Sequence, residues 1–254
     1  MLGIYFSGTG NSRYALEYFL GQYNRSAEAV SIEDENAARK IRCHTELVFC
    51  YPVQYSNIPK MVKDFVYLNA NLWEGKKVFI IATMGMFSGD GAGLLGRRLR
   101  GYGAQITGGL HLKMPDSIAD VWVLKRSLEK NKELVRKAER KIAQAALRMK
   151  NGDVPQDGMG FLKQMAGLFG QRLYFLSKTA EYTERIKVDT IACNGCGKCA
   201  ELCPMESIRV KYKVAHAGNR CTMCYRCINN CPEQAITLIG RRVHEQGTIE
   251  KYLS

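Results

Sequence analysis

The sequence predicts an α/β protein: a doubly wound parallel sheet, then a helical connection, then a small α+β domain built on cysteines. Three observations predict it. Over residues 1–118, short continuous apolar runs alternate with helical patterns, which is how strands covered on both faces of a parallel sheet read. Residues 119–187 are helical in period and basic. Eight of the ten cysteines fall between Cys193 and Cys231, and their spacing repeats. A chain of 254 residues gives about two cored domains at ~150 residues each. Its 46% apolar and 24% charged residues exclude a disordered or fibrous chain.

The elements follow in order. Met1 to Phe6 is an apolar strand; the loop Ser7-Gly8-Thr9-Gly10-Asn11-Ser12 leads into a helix reaching Leu20. Ala27 to Ile32 is the second strand and Glu35 to Ile41 a short helix. Leu47 to Tyr51 is the third strand, and Pro59 opens a helix through Leu68. Val78 to Ala82 is the fourth strand, Leu94 to Leu99 marks the fourth helix, and Gln105 to Leu112 is the fifth strand.

A long helix is expected over residues 122–150. Leu124, Leu128, Val135, Ala138, Ile142, Ala145 and Met149 form one apolar stripe, and Asn151-Gly152-Asp153 with Pro155 ends it. A second amphipathic helix is expected at about 160–178, from Phe161, Leu162, Met165, Leu168, Phe169, Leu173 and Leu176. Its apolar stripe allows peripheral membrane contact, but packing between the neighbouring domains is the favoured role. No apolar run reaches the ~18 residues of a membrane span. The first residues lack a basic segment followed by an apolar one, so a cytoplasmic location is expected. The domains are therefore drawn as 1–118, 119–187 and 188–254.

Cys193, Cys196, Cys199 and Cys203-Pro204 follow C-x2-C-x2-C-x3-C-P, and Cys221, Cys224, Cys227 and Cys231-Pro232 follow it again. Clustered cysteines in a chain without a secretory leader point to metal rather than disulfides. Zinc pairs two C-x2-C units around one ion and needs no third close cysteine. The triple spacing is that of iron–sulfur ligation, in which three cysteines wrap one cubane and the fourth reaches the other. Cys193, Cys196, Cys199 and Cys231 should hold one [4Fe–4S] cluster, and Cys203, Cys221, Cys224 and Cys227 the second. The stretch 188–240 resembles a bacterial two-cluster ferredoxin. Cys43 and Cys50 are expected as small buried core residues.

The first glycine-rich loop brings hydroxyls and backbone N–H groups to a helix N-terminus, a ready anion site. No lysine follows its last glycine, so it is not a P-loop. Residues 1–118 resemble the flavodoxin family, whose first loop reads S/T-x-T-G-x-S/T. The resemblance implies strand order 2-1-3-4-5 and FMN bound at the carboxyl edge of the sheet. It assigns Ser7, Thr9, Gly10, Asn11 and Ser12 to the phosphate. The ring falls to the loops after the third and fourth strands, with Pro52, Gln54, Thr83, Met84, Gly85 and Gly89 near it and Tyr55 and Phe87 against its faces. Gly91-Ala92-Gly93-Leu94-Leu95-Gly96 matches G-x-G-x-x-G but lies too far from a strand end to read as a nicotinamide site. His111 and Asp116 are expected to be structural.

Together these parts resemble fused flavodoxin–ferredoxin proteins. The resemblance implies an electron-transfer protein relaying electrons between FMN and two [4Fe–4S] clusters, and on to redox partner proteins. The alternative is a flavin-dependent iron–sulfur oxidoreductase reducing a small organic substrate. Charge informs the partner. The net charge is +13, and residues 119–187 carry 15 Lys+Arg against 8 Asp+Glu. No nucleic-acid motif accompanies this charge. Two cubanes and a phosphate would lower the net charge of the loaded protein to about +7, and the surviving excess suits an acidic redox partner.

Overall fold

A computed structural model describes residues 1–86, 89–160, 182 and 185–253. Its centre is a five-stranded parallel sheet of β1 (Leu2–Tyr5), β2 (Glu28–Ser31), β3 (Glu46–Pro52), β4 (Lys77–Met84) and β5 (Gln105–Lys113). The strand order is β2-β1-β3-β4-β5, as the resemblance implied. This is the flavodoxin-like order, whose switch point lies between β1 and β3. The strands read as unbroken apolar runs because both faces are covered. Leu2, Ile4, Phe49 and Ile80 face one buried cluster; Val48, Cys50, Phe79 and Ile81 face the other.

Helices α1 (Asn11–Tyr23) and α5 (Leu128–Lys150) share one face of the sheet. Ala15, Leu16 and Phe19 of α1 meet Val135, Ala138, Ile142 and Ala145 of α5. Between them in sequence lie α2 (Ala37–Arg42), α3 (Lys60–Leu68) and α4 (Gly91–Arg100). Val62, Val66, Leu95 and Leu99, on α3 and α4, cover the opposite face, where Trp73 is buried beside Phe49.

The long helix starts later than its stripe suggests. Trp122–Leu124 is a separate 3-10 turn, and α5 begins at Leu128, with the Ser127 hydroxyl accepting from Lys130 N. Trp122 and Val123 are exposed and only Leu124 of that turn packs inward, against the sheet-edge cavity, so little favours extending the helix through it. The expected helix at 160–178 lies outside the described residues.

The G-x-G-x-x-G run forms the first turns of α4. A Cβ on Gly93 would stand 2.3 Å from Gly158 O, so this glycine serves close packing. His111 is likewise structural: its Nε2 accepts from Ala92 N at 3.1 Å. Cys50 is buried as expected, but Cys43 is exposed; it caps the C-terminus of α2, past the last core residue Ile41.

The C-terminal part is small and irregular. Strands β6 (Lys187–Val188) and β9 (Ile236–Thr237) pair antiparallel, and β7 (Ile208–Lys211) and β8 (Val214–Ala217) form a hairpin. Helices α6 (Lys198–Glu201) and α7 (Arg226–Asn230) enclose the third cysteines of the two runs, and α8 (Glu250–Leu253) ends the chain. This part has its own core, including Ile208, Ala215, Tyr225, Ile228, Ile236 and Leu238.

Candidate redox-cofactor site

The carboxyl ends of β1, β3, β4 and β5 open on one cavity, where the switch-point rule places a ligand. Its walls include Ser7, Thr9, Asn11 and Ser12 from the first loop, Pro52, Gln54 and Tyr55 from the β3 loop, and Thr83, Met84 and Gly85 from the end of β4. Gly10 and Gly89 do not line it. Gly10 caps α1 at φ 89°, the left-handed region that glycine adopts without a Cβ clash, and turns toward Ile249 instead. Gly89 sits at φ 56° beyond the end of β4, just ahead of α4. Phe87 lies outside the described residues.

The first loop is built to receive an anion. The N-cap Gly10 supplies no side-chain cap and the first turn of α1 holds no acid, so its N–H groups are left for a ligand, although Glu250 of α8 approaches Gly10 from the other side. Thr9 Oγ1 meets Ser117 Oγ at 2.7 Å, and Ser12 Oγ meets Thr83 Oγ1 at 2.8 Å. These bonds hold the loop in shape. Ser7 Oγ is buried and has no hydrogen-bond partner among the described residues. A buried hydroxyl left so costs about 1–3 kcal/mol, which a bound acceptor would relieve. The loop therefore fits a phosphomonoester.

The ring side of the cavity is aromatic and thioether-rich. Tyr55 is in the left-handed region at φ 50°, an uncommon state for a bulky side chain that clusters at ligand sites. Its ring lies 5.8 Å from that of Tyr182, and burial raises its hydroxyl pKa. Gln54 is spent elsewhere, its Nε2 donating to Met223 O at 3.0 Å and to Thr222 O at 3.3 Å.

Two parts of the wall lie outside the loops that the sequence reading assigns to the cofactor. The first is Met114 to Ile118, the loop after β5. It includes Asp116, whose carboxyl is pushed above its usual range, chiefly by burial, against the pull of Ile118 N–H and Arg126. The flavodoxin resemblance draws on the loops after β1, β3 and β4, although the same rule applies to every strand end at this edge. The second is Met223, Cys224 and Tyr225, from the second cysteine run. No local pattern announces that contact.

The contact is close and extensively bonded. A Cβ on Gly8 would stand 2.1 Å from Cys224 O, so only glycine lets the two backbones approach this far. Arg226 donates to Ser7 O at 2.8 Å and pairs with Glu33 at 2.8 Å. Asn229 Nδ2 donates to Ser117 O at 2.8 Å, and Ile249 N to Thr9 O at 2.9 Å. Asp120 is buried and accepts from Leu238 N, Ile239 N and Gly240 N at 2.6, 2.9 and 3.0 Å, and from the Tyr225 hydroxyl at 3.1 Å.

The cysteines surround two further cavities. Cys193, Cys196, Cys199 and Cys231 line one; Cys203, Cys221, Cys224 and Cys227 line the other. These are the two sets expected for crossed ligation. Backbone N–H groups already point at sulfur: Ala215 N to Cys193 Sγ at 3.4 Å, and Ser207, Met223 and Ala235 N to Cys203, Cys221 and Cys231 Sγ at 3.3 Å each. Such donors stabilise cluster thiolates and tune potential. As a bare thiol Cys224 resists ionising, since burial pushes it up to about 11. Iron binding would have to displace such protons. Among the described residues, no three His, Cys, Asp or Glu side chains converge on a single ion. Nor is any helix there long and apolar enough to cross a membrane.

A family model described as a 4Fe-4S dicluster domain matches residues 185–232. An uncharacterized ferredoxin of Methanocaldococcus jannaschii is 32% identical over 71 residues, 25% of this chain and 45% of that protein. One component of an ion-translocating oxidoreductase complex of Methanosarcina acetivorans is 33% identical over 70 residues, 27% of this chain and 26% of that protein. The chain thus spans less than half the length of either relative. A reduced flavodoxin of Megasphaera elsdenii is 21% identical and matches 57% of this chain and 100% of its own, with a TM-score of 0.40. The chain thus combines a parallel sheet of order 2-1-3-4-5 with a C-terminal stretch similar to a 4Fe-4S dicluster domain.

Proposed function

We propose that the chain is an intramolecular electron relay, with FMN in the sheet-edge cavity and two [4Fe–4S] clusters in the cysteine cavities. FMN exchanges one or two electrons and each cluster one, so the pair can join two-electron to one-electron chemistry. One observation carries the reading: Cys224, a ligand candidate for the second cluster, forms part of the cavity wall that also holds the phosphate loop. The chain's own residues do the positioning. Ser7 and the uncapped start of α1 take the phosphate. Gln54 and Arg226 lock the second cysteine run to the sheet. The wall of Met84, Met114, Tyr55 and Met223 keeps water from the ring. Thiolate ligation of iron also suits a reducing, cytoplasmic setting.

Two measurements test it. Anaerobically reconstituted protein should hold about eight irons per chain, as two cubanes require. About four would reject the two-cluster assignment. Ser7→Ala should weaken FMN binding about tenfold, from one lost hydrogen bond to a charged group, while leaving riboflavin binding unchanged. Equal losses for both would mean that the loop does not hold phosphate.

A second reading has one feature in its favour. Asp116 is a half-buried carboxyl on the cavity wall, pushed above its ordinary range chiefly by desolvation, and so is a candidate proton donor. It suits a reductase that transfers to a small organic acceptor. Turnover of such an acceptor by the isolated protein, abolished in Asp116→Asn, would favour that reading over the relay.

A further inference from the structure

The first cysteine run differs from the second in facing outward. Cys196 is exposed, and beside the run Ile191 is 97% exposed and Tyr212 is 96% exposed. Tyr212 and Lys213 form the two-residue turn of the β7–β8 hairpin at φ 51° and 61°. Such a turn ordinarily takes Asn-Gly, so a tyrosine and a lysine here hold a conformation that costs free energy. The turn sits directly on the cysteine run: a Cβ on Gly195 would stand 2.3 Å from Lys213 O, and Ala215 N donates to Cys193 Sγ.

The charge on the hairpin is one-sided. The hairpin carries Arg209, Lys211 and Lys213 and no acid, and Lys198 follows on the cysteine run. None of the four has a carboxylate within ion-pair reach among the described residues. The run and its flanks also carry the acids Asp189, Glu201 and Glu233; Asp189 accepts from Ile191 N and Ala192 N and Glu233 from Asn194 Nδ2, and none of the three forms an ion pair with these cations among the described residues. The basic helix α5 contrasts with this in part. Its Arg136 and Arg140 pair with Glu133, Lys141 with Asp157 and Arg148 with Asp153. The hairpin and Lys198 therefore offer a partner four cations outside any ion pair beside a cysteine run; on α5, Lys130, Lys132 and Lys150 are likewise outside any ion pair among the described residues.

We propose that the hairpin tip and the first cysteine run form the docking face for an acidic one-electron carrier protein, with Tyr212 and Ile191 as its apolar centre and Lys198, Arg209, Lys211 and Lys213 as its rim. This deepens the relay reading and rests on it. Cys193, Cys196, Cys199 and Cys231 would hold the cluster behind this face, which would exchange one electron with the carrier's own centre per encounter, with no bond made or broken. The opposite end of the path, at Cys224, is closed off by the sheet. An exposed apolar pair inside a positive rim is the arrangement that steers an acidic protein and then excludes water at contact.

The test uses the reconstituted holoprotein, reduced anaerobically, with two acceptors: a small acidic ferredoxin and methyl viologen. Transfer to the ferredoxin should slow as salt is raised. The double charge reversal Lys211→Glu with Lys213→Glu should slow it at least about tenfold at low salt, the lower end of steering effects. Tyr212→Ser should slow it without changing the salt slope. Methyl viologen, a small cation, should exchange electrons with all these proteins at rates that do not fall. Unchanged ferredoxin rates in the charge reversal would overturn the docking face. So would a parallel fall with both acceptors, which would mean that the lysines tune the cluster instead. Sedimentation of the wild type, but not the reversal, with anionic phospholipid vesicles and no reaction with ferredoxin would assign the patch to a membrane. A wild type that exchanges electrons with neither acceptor would remove the relay reading itself.

Discussion

The two cysteine runs have the same spacing and opposite surroundings. The second is pressed into the sheet: Cys224 O lies over Gly8, Arg226 holds Ser7 O, and Tyr225 reaches the buried Asp120. The first keeps Cys196 and Ile191 in solvent. A symmetric pattern in sequence has thus acquired two different settings, one at the cavity and one at the surface. Spacing fixes which sulfurs gather, and backbone packing decides what each set faces.

The largest expected effect is at the anchor of the inner run. Asp120→Ala strips four hydrogen bonds from a buried carboxylate site and should cost about 3–5 kcal/mol. Asp189→Ala, which removes an exposed turn acceptor from the outer run, should cost less than about 1 kcal/mol. Denaturant unfolding of the loaded proteins measures both, and equal losses would break the contrast. Next is Gly8→Ala, whose Cβ has no room before Cys224 O; overpacking there should cost about 1–3 kcal/mol and weaken FMN binding. A variant as stable and as tightly FMN-bound as the wild type would mean that the two backbones separate freely.

The smallest effect is at Asp116. Burial raises its carboxyl in the folded chain, so the folded state holds this proton more tightly than the unfolded state. Its contribution to unfolding free energy therefore increases as pH falls through the folded value toward the unfolded one. Asp116→Asn lacks this contribution. The stability gained by the variant at neutral pH should shrink as the solution is acidified toward about pH 4, near the ordinary carboxyl value. A difference that stays constant with pH would mean that the carboxyl is not perturbed.

Much of this is legible in the sequence because it is written in short periods. Continuous apolar runs mark the five strands, and the C-x2-C-x2-C-x3-C-P repeat identifies the cysteine sets. The loop Ser7 to Ser12 shows its hydroxyls beside a helix start. The stripe misplaces the start of α5 because Leu124 continues the line of Leu128 and Val135, and a stripe does not register that Trp122 and Val123 lack a partner surface. The seam between the halves is not legible at all. Gln54 meets Met223, Arg226 meets Ser7, and Ile249 meets Thr9 across most of the chain's length. Such contacts depend on single side chains and backbone atoms that carry no periodic signal.

The central claim is that electrons pass between the cavity and the second cysteine run within one molecule. The direct measurement is rapid anaerobic mixing of the FMN-loaded, iron-reconstituted protein with a one-electron reductant, following flavin and iron–sulfur absorbance as protein concentration is varied. The account predicts that flavin and clusters equilibrate in a first-order phase whose rate is independent of protein concentration. A rate that rises in proportion to protein concentration would mean that electrons travel between molecules, and would contradict it.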